Sequence, residues 1–164
     1  MFDLGTYTAF HTILSLIALV VGIVVVADLL SPKIRRSLTV LFLITAIATS
    51  VTGFGFPFHG ILPSHILGVI ALIVLAVALY AMYGAHLHGA WRPVYAVAIV
   101  ASLYFLVFVG IAQAFSKIPF LHVLAPNGSE PPFAIAQLVA LVLFIAVGYA
   151  AARSFRRAPL EALA

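Results

Sequence analysis

Polar residues are so sparse along this chain that they leave five long apolar runs, at Tyr7–Leu30, Ser37–Phe56, Ser64–Tyr83, Pro93–Phe115 and Pro132–Ala152. Each is long enough to cross a bilayer, for which about 20 residues suffice. Hydrocarbon offers nothing to satisfy a bare backbone, so each run is predicted to be a helix. The punctuation between them agrees. Ser31-Pro32 reads as the opening of the second helix, a capping residue followed by a proline. Gly53, Gly55 and Pro57 stop that helix, and Pro63-Ser64 start the third. Gly84 and Gly89 end the third, and Pro93 begins the fourth. Asn127-Gly128 turns the last loop into Ser129-Glu130-Pro131-Pro132. There prolines take up a first helical turn and a carboxylate meets the positive end of the helix dipole.

Within the runs, small and polar residues recur at helical spacing. His11, Ser15 and Gly22 form one such stripe, Thr45, Thr49 and Thr52 another, and His65 and Gly68 a third. Ala98, Ser102, Leu106, Val109 and Gln113 share a face of the fourth run, and Gln137, Leu141, Phe144, Gly148 and Ala151 share one of the fifth. Small residues let helices approach and polar ones need partners, so these stripes are expected to face the interior of a bundle. The expected fold is all-α: an integral membrane bundle of five transmembrane helices, with residues 1–164 forming a single transmembrane domain.

Charge sets the orientation. Lys33, Arg35, Arg36, Arg92, Arg153, Arg156 and Arg157 fall on one side of the predicted membrane and Lys117 alone on the other. The positive-inside rule then puts the N-terminus outside and the C-terminus in the cytoplasm. Trp91, Tyr80, Tyr83 and Tyr95 lie where the cytoplasmic aromatic belt is expected, and Tyr7, Phe54, Phe56 and Phe133 where the outer one is. No charge sits mid-span. Asp28, near the end of the first run, is expected to be an interfacial carboxylate paired with Lys33 or Arg35.

Composition narrows the classes. Hydrophobic residues make up 65% of the chain and charged ones 7%, against about 25% charged in a soluble domain. The net charge of +4 does not point to nucleic acid, because the basic residues are spread over helix ends instead of one exposed patch. With no cysteine, disulfides, thiolate catalysis and iron–sulfur ligation are excluded. The first ten residues lack a basic segment, and no cleaved signal peptide is expected. There is no internal repeat, and five spans cannot divide into two equal inverted halves as in many carriers.

Chemistry is concentrated at the outer ends of the helices. His11, His65, Gln113 and Gln137 fall at a similar depth, and we take them as the candidate site. The imidazoles would ligate iron or hydrogen-bond a carbonyl, and the glutamines would orient the ligand. Interhelical hydrogen bonding is the plainer role for the same residues. A b-type haem needs axial ligands from facing helices at one depth, and His11 with His65 is the pair that could supply them. At the other end His86 and His88 are two apart on one segment and point in different directions, so at most a single haem is expected. Zinc held by three of His11, His59, His65 and His122 is a weaker alternative, and copper(I) lacks its sulfur ligands. No G-x-S-x-G, Walker A, H-E-x-x-H or glycine-rich dinucleotide turn is present, so no reaction is named. Glu130 and His122 share a loop and could form an acid–base pair, but Glu130 reads better as a helix cap. The apolar loop Ser116–Pro131 is expected to lie on the membrane surface or to cap the bundle as a lid.

The segments LPSHILG (Leu62–Gly68), HLHGAWRPVY (His86–Tyr95) and QAFSKIPFLHVLAPNGSEPPFAIAQ (Gln113–Gln137) resemble a group of small bacterial integral membrane proteins. That group shares LPSH, HLxGxWR and KxPxLHxLAPxxSEPPF patterns. The resemblance covers about the C-terminal two-thirds of the chain. It implies a bacterial inner membrane and carries no known activity.

The expected function is therefore binding of a small hydrophobic molecule or cofactor in a polar pocket of the outer leaflet, with quinone, lipid or a single b-type haem as the ligand. Two alternatives stand beside it: a non-catalytic assembly subunit of a larger membrane complex, and an oligomeric channel or carrier built from several copies. The pore reading lacks the charge ring that such pores commonly use. The bilayer is the one partner every version requires.

Overall fold

The computed structural model describes residues 4–31, 33–56 and 63–157. Its helices are α1 (Leu4–Leu30), α2 (Arg36–Gly53), α3 (Pro63–Leu79), α4 (Trp91–Lys117), α5 (Pro119–Leu124) and α6 (Pro131–Arg157), and α3 runs on into a π-helical turn at Tyr80–Gly84. Among the described residues there is no strand. Five helices are long and apolar enough to cross a membrane, α3 being counted with its π-helical turn. The predicted runs match them in order and differ at the ends. α4 and α6 reach out to Lys117 and Arg157, because long basic side chains can extend from an apolar helix end toward water.

α4 is the hub. It packs against α1, α3, α6 and the short α5, while α2 lies against α1 and α3, and α1 also touches α6. The hydrophobic core is gathered toward one end of this bundle. Leu29 of α1, Phe42 of α2, Leu75 of α3, Ile99 and Leu103 of α4 and Phe155 of α6 are all within 2% of complete burial. The same end carries seven of the eight lysines and arginines. Its geometry is fixed by the Ser154 hydroxyl donating to the Leu30 carbonyl at 3.1 Å and by Tyr95 against Phe155, with ring centroids 5.9 Å apart. Gly22 makes the crossing of α1 with α2 and α4 close: a Cβ there would lie 2.6 Å from the Phe42 ring and 2.8 Å from Leu103.

The connection from α1 to α2 differs from the sequence expectation. α2 opens at Arg36, not after Ser31, and Arg35 precedes it with extended backbone and no side-chain cap. The Asp28 carbonyl accepts the N–H groups of both Ser31 and Lys33, which holds the chain in a turn. The Asp28 carboxylate then takes Arg35 from two sides, Nε and Nη2 each at 2.7 Å. A bidentate pair of this kind is strong and directional, so Asp28 sets the start of α2. The ion pair also keeps the Arg35 guanidinium above its ordinary pKa, chiefly through the hydrogen bond to Asp28. Pro32 lies outside the described residues.

At the far end of α3 the helix widens before it stops. The Ala85 N–H reaches back to the Tyr80 carbonyl and that of Leu87 to Ala81. His86 and Leu87 both adopt positive φ, 48° and 54°, followed by Gly89 at 55°. Two successive non-glycine residues in the left-handed region are uncommon. Burial of the Leu87 side chain and the Arg92 Nε hydrogen bond to the Leu87 carbonyl, 3.1 Å, hold them there.

The predicted loop Ser116–Pro131 is largely helical. α4 runs through its first residues, and Pro119 then nucleates α5 at its first turn. Phe120 and Val123 are 73% and 79% exposed, so the apolar face of α5 points away from the bundle. It packs on α4 and does not cover the helix ends as a lid would.

Candidate functional site

The end of the bundle away from the basic residues is built around the last turn of α2. Tyr7 and His11 are four apart on α1 and so share a face. The Tyr7 hydroxyl donates to the Thr52 carbonyl at 2.6 Å, and His11 Nδ1 lies 2.8 Å from Thr52 Oγ1. Phe56 closes the group, edge-on to Tyr7 at 5.1 Å and to His11 at 5.2 Å. Gly55 is required here, because a Cβ would collide with the Tyr7 hydroxyl.

The direction of the His11 bond depends on where Thr52 gives its proton. Thr52 Oγ1 also lies 2.7 Å from the Ala48 carbonyl of its own helix, with Thr49 as a longer partner. A hydroxyl has one proton to give. Two arrangements satisfy these distances: Thr52 donates to a bare Nδ1, or Thr52 keeps its proton within its helix and His11 donates through Nδ1–H. In the second arrangement the neutral imidazole carries Nε2 as a bare acceptor. That arrangement presents a lone pair from a half-buried side chain within α1, a helix long and apolar enough to cross a membrane.

The other predicted site residues are placed as follows. His65 stacks on Phe54, with ring centroids 5.8 Å apart, and Phe54 in turn lies over Gly68, where a Cβ would come within 3.0 Å of the ring. His11 and His65 are therefore engaged by different residues of the same α2 end, Thr52 and Phe56 for one and Phe54 for the other. Gln137 is buried between α6 and α4. Its Nε2 donates to the Phe108 carbonyl at 3.1 Å, and its Oε1 has no partner. Gln113 is on the exposed side of α4. His59 lies outside the described residues, and among the described residues no three His, Asp or Glu side chains gather as a metal site.

Glu130 is occupied structurally. Its carboxylate accepts the Asn127 N–H at 3.0 Å, the Asn127 side-chain amide at 2.8 Å and the Ser129 N–H at 3.0 Å. With prolines at the first two positions of α6 there are few free N–H groups to cap, so the carboxylate turns back onto the loop instead. Desolvation opposes its ionisation, but the backbone N–H groups of Asn127, Ser129 and Glu130 and the Asn127 amide together outweigh it and hold the carboxyl below the usual glutamate range. The sequence reading missed Tyr7 as a site residue, taking it as belt only. The i, i+4 spacing to His11 was the available signal.

A shallow, open depression lies along the first turns of α1, lined by Leu4, Gly5, Thr8, Ala9, Thr12 and Ile13 of that one helix; none of the predicted site residues lines it. No protein-family model, curated protein or solved structure matches the chain.

Proposed function

We propose that this is a bacterial inner-membrane protein, N-terminus outside and C-terminus in the cytoplasm, that binds a small hydrophobic molecule bearing a hydroxyl group at the outer ends of α1 and α2. A quinol, or a lipid hydroxyl, is the ligand class. The orientation is supported by the concentration of basic residues at the opposite end of the bundle. The binding reading is supported by the arrangement in which Thr52 keeps its proton with the Ala48 carbonyl, which leaves His11 Nε2 as an acceptor with no hydrogen-bond partner among the described residues. Gln137 Oε1 is a second acceptor without a partner. Both groups call for a ligand that donates. This favours the reduced, hydroxyl-bearing form of a quinone over the carbonyl form.

The test is binding of a short-chain benzoquinol and its quinone to the purified full chain in detergent, by anaerobic calorimetry. One net hydrogen bond is worth about 0.5–1.5 kcal/mol, so the quinol should bind roughly 2–12-fold more tightly. His11→Ala should abolish that preference. Thr52→Val should weaken it, because the imidazole is then free to present either nitrogen. Equal affinity for both forms, or an unchanged preference in His11→Ala, refutes the reading.

A further inference from the structure

At the basic end, on the opposite side of the core, α3 and α4 part to leave an apolar groove of about 400 Å³, lined by Val74, Val77, Pro93, Val94, Val97 and Ala101. It offers almost no polar surface along its length, and Val94 and Val97 are exposed, so it opens sideways toward lipid. Pro93 and Val94 belong to the first turn of α4. The groove therefore ends against the turn His86–Arg92, which joins the same two helices. Tyr80 and Trp91 meet edge-to-face across that end, 4.9 Å between centroids. Gly84 gives the Tyr80 ring its room, since a Cβ there would fall 2.7 Å from it.

We infer that this groove and turn form a binding site for an anionic glycerophospholipid. One acyl chain lies in the α3–α4 groove, and the phosphate sits at Arg92, His86 and His88. Two independent features carry the assignment. The groove's chemistry admits hydrocarbon and little else. The turn at its mouth supplies a cation and N–H donors: the Arg92 guanidinium, which also donates to the Leu87 carbonyl, and two exposed imidazoles whose rings stand 6.5 Å apart. His88 is oriented by a contact of Nδ1 with the Ala85 carbonyl at 3.0 Å, which directs its other ring nitrogen outward. The Trp91–Tyr80 pair is of the kind that settles at head-group level. The left-handed backbone at His86 and Leu87 is what brings both imidazoles and Arg92 onto one short turn.

The experiment is native mass spectrometry of the delipidated full chain in detergent, titrated with phosphatidylglycerol and phosphatidylcholine of identical acyl chains. The wild type should prefer phosphatidylglycerol roughly fivefold, the share expected of one arginine near a lipid head group. His88→Gln/Arg92→Gln should lose the preference while still taking up both lipids. Ala101→Phe, which fills the groove, should lower retention of both. Arg156→Gln/Arg157→Gln, at the same end but away from the groove, should leave the preference intact. Folding is followed by circular dichroism, and if the Arg92 variant does not fold, His86→Gln/His88→Gln decides. No preference in the wild type overturns the site, as does a preference that survives in the turn variants. A preference that falls equally in Arg156→Gln/Arg157→Gln assigns the attraction to the whole basic end. Displacement of the lipid by millimolar inorganic phosphate assigns it to a free anion. Either of these results overturns the inference.

Discussion

Replacing Gly22 by alanine tests the packing on which every placement above depends. Gly22 sits where α1 crosses α2 and α4. An added Cβ would lie 2.6 Å and 3.0 Å from two atoms of the Phe42 ring and 2.8 Å from Leu103 Cδ1, whereas carbon atoms in contact prefer about 3.5–4.0 Å. Phe42 and Leu103 are 0% and 2% exposed, so neither can swing aside without moving further core. Overpacking of this kind costs about 1–3 kcal/mol. Against it stands the gain in helix propensity from glycine to alanine, about 0.8–1.0 kcal/mol. Gly110 separates the two effects. It lies in the interior of α4 with nothing within 4 Å of its Cβ position, so Gly110→Ala receives the propensity gain alone. The difference between the two variants then isolates the steric cost, with Gly22→Ala less stable than Gly110→Ala by about 1–3 kcal/mol. Equilibrium unfolding of the detergent-solubilised protein by increasing sodium dodecyl sulfate, read by circular dichroism, measures it. If Gly22→Ala is as stable as Gly110→Ala, α1 does not cross α2 and α4 at Gly22, and the bundle described here is wrong.

Two further outcomes follow from the end away from the basic residues. Gly55→Ala should displace Tyr7 and break its bond to the Thr52 carbonyl, a loss of about 0.5–1.5 kcal/mol; the same substitution should cost less in a Tyr7→Phe background, and an equal cost in both would remove the proposed contact. Glu130 is held ionised by the loop N–H groups, so its contribution is complete above the ordinary glutamate range, about pH 4.3, and is lost as pH falls through its lowered folded value. The amide resonances of Asn127 and Ser129 should accordingly shift below that range in nuclear magnetic resonance spectra, and Glu130→Gln should remove the dependence; shifts that persist in the variant would show that another group titrates.

Much of this architecture is written in the hydropathy of the chain, because a helix that must cross hydrocarbon announces itself by length alone. The inward stripes were legible for the same reason. Gly22, Thr45, Thr49, Ser102, Gln137, Gly148 and Ala151 are all buried, as polar and small residues in a membrane bundle should be. Helix ends were less legible. Ser31-Pro32 carries a good start signal, but the Asp28 carboxylate overrides it by drawing Arg35 back; the pair itself was expected from the sequence, its effect on where α2 starts was not. Glu130 shows the same conflict between local and wider context: it has the position of a cap, but the prolines that follow remove the groups a cap would satisfy. Gln113 shares the depth of the other site residues without sharing their interior face, since depth is read from position along a helix and facing depends on neighbours the sequence does not order.

The distribution of packing separates the two ends. Most large buried side chains cluster toward the basic end, whereas the other half is buried mainly through the small or polar Ala18, Thr49, Gln137 and Ala140, with Phe115 the large exception. Among the described residues three buried polar atoms have no partner: the Thr49 hydroxyl and Gln137 Oε1 in this half, and the Tyr95 hydroxyl in the basic one; an unmet buried polar group costs about 1–3 kcal/mol. A bundle selected for stability alone could fill such positions with leucine or alanine at no loss of helix. The proposed binding accounts for this pattern: a hydroxyl or N–H donor arriving from outside the chain would meet Gln137 Oε1, and His11 Nε2 in the arrangement where Nδ1 donates to Thr52. The more tightly packed basic end then serves as the frame that holds α1, α2 and α4 at fixed spacing around the proposed site.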